Sequence, residues 1–240
     1  MKIYAATQKG LSHIENEDRL LIGKTILSNG LFTCEMNKGI IAIADGVGGN
    51  NAGAVASHFV VSRICETINI TESALAHINR DLIEKSKSNT SLEKMATTLS
   101  LISVDDKIML YHVGNTRVYS LQNGKYLKQY TTDDTTVNYL ISTGQLTDEE
   151  AQNYEHKNQI TACFGAGDEK LFKLSTIELS EKNASHFIFT TDGIHDYVSI
   201  DDMENILSSE ENRLTACEKI IQMACNNDST DDKSILIGVI

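Results

Sequence analysis

Ile40-Ile41-Ala42-Ile43-Ala44-Asp45-Gly46 and Phe187-Ile188-Phe189-Thr190-Thr191-Asp192-Gly193 share one form, an apolar run of strand length that stops in Asp-Gly. Runs of this length, rich in β-branched and aromatic residues and closed by a turn former, read as strands. Two more runs begin just behind acids: Arg19 to Ile22 after Glu17-Asp18, and Ser234 to Ile240 after Asp231-Asp232. If the four strands are antiparallel neighbours, ends of one pair and beginnings of the other share a sheet edge, and four acidic clusters converge. Such carboxylates repel one another until a cation neutralises them, and oxygen donors without His or Cys select a hard ion such as Mg²⁺ or Mn²⁺. The plainer reading is that each Asp-Gly makes a turn and nothing more.

Around these runs the pattern continues as strands at Ile3 to Thr7, Ile26 to Ser28 and Leu31 to Cys34. After Gly48-Gly49, the stripe Ala52, Val55, Ala56, Phe59, Val60, Ile64 has the spacing of an amphipathic helix. A second helix is expected over Glu72 to Lys85. Strands return at Thr97 to Val104, Lys107 to Val113, Arg117 to Leu121 and Lys125 to Leu127, with Gln122-Asn123-Gly124 as a hairpin turn. Residues 131–168 read as a polar surface excursion holding a short helix at Val137 to Ser142. Strands at Leu171 to Glu178 and His186 to Thr190 follow, then a helix over Asn212 to Ala224. Helices grouped between runs of strands favour an α+β fold.

With 240 residues, 41% of them hydrophobic, the chain can bury a sizeable core and reads as one domain, 1–240. Lys+Arg 21 against Asp+Glu 33 gives a net charge of −12, which repels phosphate backbones and anionic lipid, so neither nucleic acid nor a membrane is an expected partner. No apolar run approaches the roughly 20 residues of a bilayer span. The N-terminal stretch turns polar before a signal-peptide core could form, so a cytoplasmic location is expected. Five cysteines without a CxxC pair suggest reduced thiols. Asn226 to Asp231 begins like a calcium loop but has Asp231 where glycine is required. There is no HExxH, and no CxxxxxR or GxSxG to supply a protein nucleophile. His195 reads as a core or surface histidine.

In order along the chain stand Asn16-Glu17-Asp18, Asp45-Gly46-Val47-Gly48-Gly49, Met95-Ala96-Thr97-Thr98, Gly114-Asn115-Thr116-Arg117-Val118-Tyr119, Thr191-Asp192-Gly193-Ile194-His195-Asp196 and Asp231-Asp232-Lys233-Ser234. Through these segments the sequence resembles the bacterial metal-dependent protein phosphatases of type 2C. The excursion resembles the family's flap through Thr131-Thr132-Asp133, Gly144 to Ala151 and Asn158 to Gly165.

The resemblance implies a four-layer α-β-β-α sandwich, two antiparallel sheets with helices on both outer faces, and a metal centre at one end. It implies a phosphoserine/phosphothreonine phosphatase in which two Mn²⁺ or Mg²⁺ ions activate a water without a phosphoenzyme. By motif position Asp45 bridges the ions, the Gly46 carbonyl helps hold one, and Asp192 and Asp231 complete the other. Glu17 and Asp18 act directly or through water. Asp196 and Asn115 mark a third, weaker site. Phosphorylated proteins, and a cognate Ser/Thr kinase or its substrates, are the implied partners.

Four positions leave the family's pattern. His13 stands where an arginine commonly grips the phosphate, and as its replacement His13 joins the expected catalytic set. Asn115 replaces an acid, and Val47 replaces the histidine of many eukaryotic members. Asp232, at the usual asparagine position, is expected to support its neighbour. The competing function is a degenerate fold that binds phosphoproteins without turning them over.

Overall fold

The computed structural model describes residues 1–48, 52–151, 154–156, 159–179 and 186–239. Gly49, Asn158 and Ile240, named in the sequence reading, lie outside them. The chain first forms β1 (Lys2–Gln8), β2 (Arg19–Ile22), β3 (Thr25–Leu27), β4 (Gly30–Glu35), β5 (Gly39–Ala44) and the short β6 (Gly46–Val47). Helices α1 (Ala52–Glu66) and α2 (Glu72–Lys87) follow, then β7 (Ala96–Thr97), β8 (Leu99–Val104), β9 (Ile108–Val113), β10 (Arg117–Gln122) and β11 (Tyr126–Gln129). The excursion carries α3 (Thr136–Ser142), α4 (Asp148–Ala151) and β12 (Phe164–Gly165). Last come β13 (Ser175–Leu179), β14 (His186–Thr190), α5 (Asp192–His195), α6 (Ile200–Ser209), α7 (Arg213–Asn226) and β15 (Lys233–Val239).

Two six-stranded sheets form, ordered β11-β10-β14-β15-β1-β4 and β13-β9-β8-β5-β2-β3, beside a small sheet β12-β7-β6. Neighbours pair antiparallel, including β5 with β2 and β14 with β15. The strand-edge expectation therefore holds: Asp45 and Asp18 sit at one end of one sheet, Asp192 and Asp232 at one end of the other.

Side-chain alternation with a period of two explains the layers. In β5, Ile41 and Ile43 face the space between the sheets, and Ala42 and Ala44 face α1 and α2. In β14, Phe187 and Phe189 join the inter-sheet core while Ile188 packs with α6 and α7. The result is the expected α-β-β-α sandwich. Each fully buried Ile or Phe contributes about 1.5–3 kcal/mol, and a one-residue slip of β5 would turn its isoleucines out of the inter-sheet core.

Local chemistry sets the ends. Thr71 caps α2 by accepting the Ala74 N–H at 3.1 Å. Asn123 and Gly124 both have positive φ, +54° and +68°, as a two-residue hairpin turn requires. The structure corrects the sequence reading in four places. The strand expected over Thr97 to Val104 breaks at Thr98, and that expected from Leu171 starts at Ser175, behind a 3₁₀ turn at Glu169–Leu171. Helix α6 was not anticipated. The excursion is not wholly a surface feature, since Thr131, Asp133, Thr135, Ala162, Cys163 and Phe164 are buried.

Candidate metal centre

Asp45 leaves β5 with its backbone tied to β7–β8: its N–H donates to Thr98 Oγ1 at 3.0 Å, and its carbonyl accepts from Thr98 N–H and Thr97 Oγ1, both at 2.8 Å. That capture of Thr98 is what breaks the strand there. Gly46 N–H donates to the Glu17 carbonyl at 3.2 Å. A Cβ at Gly46 would lie 2.2 Å from the Gly53 carbonyl oxygen, so only glycine lets the Asp45 turn, the Glu17 segment and α1 meet.

The two sheets are joined at this end by hydroxyls. Thr191 Oγ1 donates to Asp18 Oδ2 at 2.9 Å and accepts the Ser234 N–H at 3.1 Å. Ser234 Oγ and Asn16 Nδ2 both reach Thr7 Oγ1, at 2.7 and 2.8 Å. Asp18, almost fully enclosed, thus meets Asp192 across the seam. Asp192 opens the four-residue α5 and accepts from Asn115 Nδ2 at 3.0 Å.

Burial, and then the charges of Asp192, Asp18 and Asp231, push the Asp45 carboxyl well above the usual carboxylate range. Burial and Asp232 do the same to Asp18 against the hydrogen bonds from Ser234 and Thr191. Asp192 is pushed up to about 6 by burial and by Asp231 and Asp196. Glu17 is raised too, burial outweighing the neighbouring His13. Burial and like charge both disfavour the ionised form of these carboxyls. All the donors are oxygens, so the set fits hard divalent ions.

Asp231 and Asp232 behave differently. Asp231 is partly exposed, and its carbonyl accepts from the buried Lys233 Nζ at 2.5 Å. Asp232 is buried and saturated, taking Gly10 N–H on Oδ1 and Glu17 N–H on Oδ2, each at 2.7 Å. His13 Nδ1 lies 2.8 Å from Asp232 Oδ2 and 3.7 Å from Asp231 Oδ1. Burial lowers the His13 pKa, but the Asp232 hydrogen bond and the surrounding acids raise it on balance. His13, Asp231 and Asp232 offer three ligand atoms within 4.8 Å of one another. A Cβ on Gly193 would come 1.9 Å from the Asp232 carbonyl oxygen, so α5 rests directly on this turn.

Of the expected residues, Glu17, Asp18, Asp45, Gly46, Asp192, Asp231 and His13 gather at this end. Asp196 is exposed one turn along from Asp192, its N–H on the Asp192 carbonyl at 3.0 Å. Asn115 directs its amide N–H to Asp192. His195 is buried, with Nδ1 2.8 Å from Thr190 Oγ1.

Sequence reasoning missed the latch beside the site. Arg117 Nε and Nη2 fork onto Asp133, the closest contact being 2.6 Å, and Asp133 holds that guanidinium protonated against the opposing effect of burial. Asp134 N–H donates to the Gly114 carbonyl at 2.7 Å while Gly114 N–H donates to Asp134 Oδ2 at 2.9 Å. His112 Nε2 donates to the Thr132 carbonyl at 3.1 Å. The root of the excursion is thereby fixed to the turn that carries Asn115. The one available signal was the density of Thr and Asp at 131–136.

Residues 29–227 match the family model described as Protein phosphatase 2C. The chain is 27% identical over 245 residues to the serine/threonine phosphatase stp of Listeria monocytogenes, covering 96% of this chain and 92% of that protein. It is 28% identical over 210 residues to the protein phosphatase PhpP of Streptococcus pneumoniae, covering 82% and 84%. Among solved structures, the serine/threonine phosphatase PstP/Ppp of Mycobacterium tuberculosis superposes with a TM-score of 0.82 at 25% identity, covering 100% of this chain and 99% of that one. Stp1 of Staphylococcus aureus gives 0.82 at 26%, covering 99% and 94%.

Proposed function

This chain belongs to the protein phosphatase 2C family, and we propose from that premise how it acts as a serine/threonine phosphatase. Its substrates are phosphorylated proteins, and the whole chain works as one catalytic domain. The family uses Mn²⁺ or Mg²⁺. We assign two ions to Asp45, Asp192, Asp231, Asp18, Glu17 and the Gly46 carbonyl, and a weaker third position to Asp196 and Asn115. When bound, they supply neutralisation of the phosphoryl charge and a water of lowered pKa. The observation that carries this reading is the convergence of Asp18, Asp45 and Asp192 from two sheets at one seam, a crowding of carboxylates that a divalent charge relieves.

The reaction is hydrolysis. A water oxygen bonds to phosphorus, the P–O bond to serine or threonine breaks, and the released oxygen takes a proton. The chain's own part is to hold and orient. Thr98 and Gly46 fix the Asp45 turn, Thr191 fixes Asp18, and Asn115 fixes one oxygen of Asp192. Asp232 holds His13 by Nδ1, which leaves Nε2 for a phosphate oxygen. The absence of a nucleophile motif supports direct attack by water.

A cognate Ser/Thr kinase is the natural counterpart of such an enzyme, and we place the reaction in the cytoplasm. No helix among the described residues is long and apolar enough to cross a membrane. Phosphate release from a phosphothreonine peptide with Mn²⁺, with Mg²⁺ and with excess chelator tests the proposal. Release is expected with either ion and lost with chelator. Binding without release in Mn²⁺ would make the chain a phosphoprotein binder instead.

A further inference from the structure

Beside the acidic centre lies a cavity of about 630 Å³ whose lining includes Ile26, Val55, Phe59, Arg19, His58 and Lys85. We propose that this groove receives the polypeptide flanking the phosphorylated residue and selects an acidic side chain next to an apolar one. The proposal deepens the phosphatase reading and rests on it.

Continuity with the centre is the first argument. Ala54, in the groove wall, gives its backbone N–H to the Glu17 carboxylate. Ser28, also in the lining, accepts at its carbonyl from Asn16 Nδ2 at 3.0 Å. Arg19 directly follows Asp18 and uses its guanidinium on the Asp18 carbonyl and on Glu15 Oε1, at 2.8 and 2.7 Å. One wall of the groove is therefore the back of the loop that presents Glu17 and Asp18.

Charge is the second. The protein carries −12 overall and concentrates acids at the centre, so an acidic flanking residue is repelled almost everywhere near the site. The groove differs. Lys85 holds its ammonium 5.5 Å from the centroid of the Phe59 ring, and among the described residues it forms no ion pair. His58 is exposed on the same rim. A larger cavity, about 740 Å³, sits at the far end of β5 and β8 and is also bordered by lysines. There Lys38 is neutralised by Asp105 and Asp106, and Lys107 by Glu178. Lys24, which also borders that cavity, gives its ammonium to the Cys65 carbonyl, whereas Lys85 stands next to the chemistry with no such hydrogen bond among the described residues.

The floor supplies the apolar half. Phe59, Val55 and Ile26 are only half-buried, so an apolar side chain laid on them removes surface from water on both sides. Lys85 above the ring leaves room for a carboxylate to meet the ammonium at the rim, the arrangement of an amphipathic two-residue anchor.

The test compares phosphothreonine peptides of equal length bearing a Glu-Leu or a Lys-Ser pair at successive positions on either side of the phosphothreonine, in Mn²⁺. The kcat/KM of p-nitrophenyl phosphate, which has no flanking chain, serves as the denominator. The full-length wild type is expected to favour the Glu-Leu peptide in one register, chiefly through KM, by about two- to fivefold per contact. Lys85→Glu should reverse that preference by about tenfold, Lys85→Arg should keep it, and His58→Glu should reduce it. Equal treatment of all peptides by the wild type, or a preference that survives both Lys85→Glu and His58→Glu, overturns the groove. Failure of the wild type to hydrolyse even p-nitrophenyl phosphate overturns the phosphatase reading instead.

Discussion

His13 Nδ1 lies 2.8 Å from Asp232 Oδ2, which makes partners of two positions where the chain leaves its family's pattern. The arginine commonly found at the first and the asparagine usual at the second are replaced together by an ion-pairing couple. Asp232 also accepts from Gly10 and Glu17 on separate oxygens, and an asparagine, with one oxygen, would turn an NH₂ against one of those donors.

Asp232→Asn should therefore destabilise the fold by about 1–3 kcal/mol, the cost of an unsatisfied buried group. In a double-mutant cycle with His13→Ala, the coupling should exceed about 0.5 kcal/mol. Urea unfolding of the four proteins measures it. Strict additivity would mean that the contact contributes nothing.

Asn115→Asp replaces the donor to Asp192 with a second carboxylate at hydrogen-bond range. Without metal the variant should melt at a lower temperature than the wild type, and its gain on adding Mn²⁺ should be the larger of the two, because the added ion relieves more repulsion. An unchanged metal-free melting temperature would show that the Asn115–Asp192 bond does not form in solution.

Asp192→Ala and Asp231→Ala should each cut phosphopeptide turnover by at least about a hundredfold, since ligand geometry at such a centre is held jointly. Circular dichroism should report a native fold in both. Normal activity in either would move the site elsewhere.

Gly193→Ala should act through the backbone without removing a ligand atom. The added Cβ must displace the Asp232 carbonyl, which pulls Asp231 away from Asp192. Metal-dependent activity should fall by about tenfold or more with a higher Mn²⁺ requirement, whereas Gly124→Ala, whose Cβ meets nothing within 4 Å, should leave the Mn²⁺ titration where it is.

Buried His112 is held neutral: burial lowers its pKa from 6.5, more than Asp134 and the Thr132 carbonyl raise it. The unfolded chain then binds the extra proton below about pH 6.5. Stability should fall as pH drops through that value, and His112→Gln should show a shallower fall between about pH 7 and pH 5. Parallel denaturation midpoints for the two proteins across that range would remove His112 as the cause.

The convergence of Asp18, Asp45 and Asp192 was legible because it follows from strand alternation, antiparallel pairing and acids at strand ends. The inward and outward faces of β5 could likewise be read residue by residue. Thr98 could not, because its place outside the strand is set by Asp45, which is distant in sequence. The buried root of the excursion escaped for a similar reason: Asp133 is polar, and its fork with Arg117, joined by Gln129 Nε2 at 3.1 Å, permits it to be enclosed. Helix α6 had a usable signal, Ser199 accepting the Asp202 N–H ahead of Met203 and Leu207. Its ten residues give so short a stripe that the reading passed over it.

The carboxylates at the seam belong to two different sheets, and their repulsion acts to wedge those sheets apart. Neutralising one of them, as in Asp45→Asn or Asp192→Asn, relieves that strain while removing the ligand. A library of this protein screened for heat resistance in chelator would accordingly enrich inactive clones at these positions. Selection for robustness and selection for catalysis pull the same few side chains in opposite directions, and it is the supply of divalent metal that decides which pressure a cell feels.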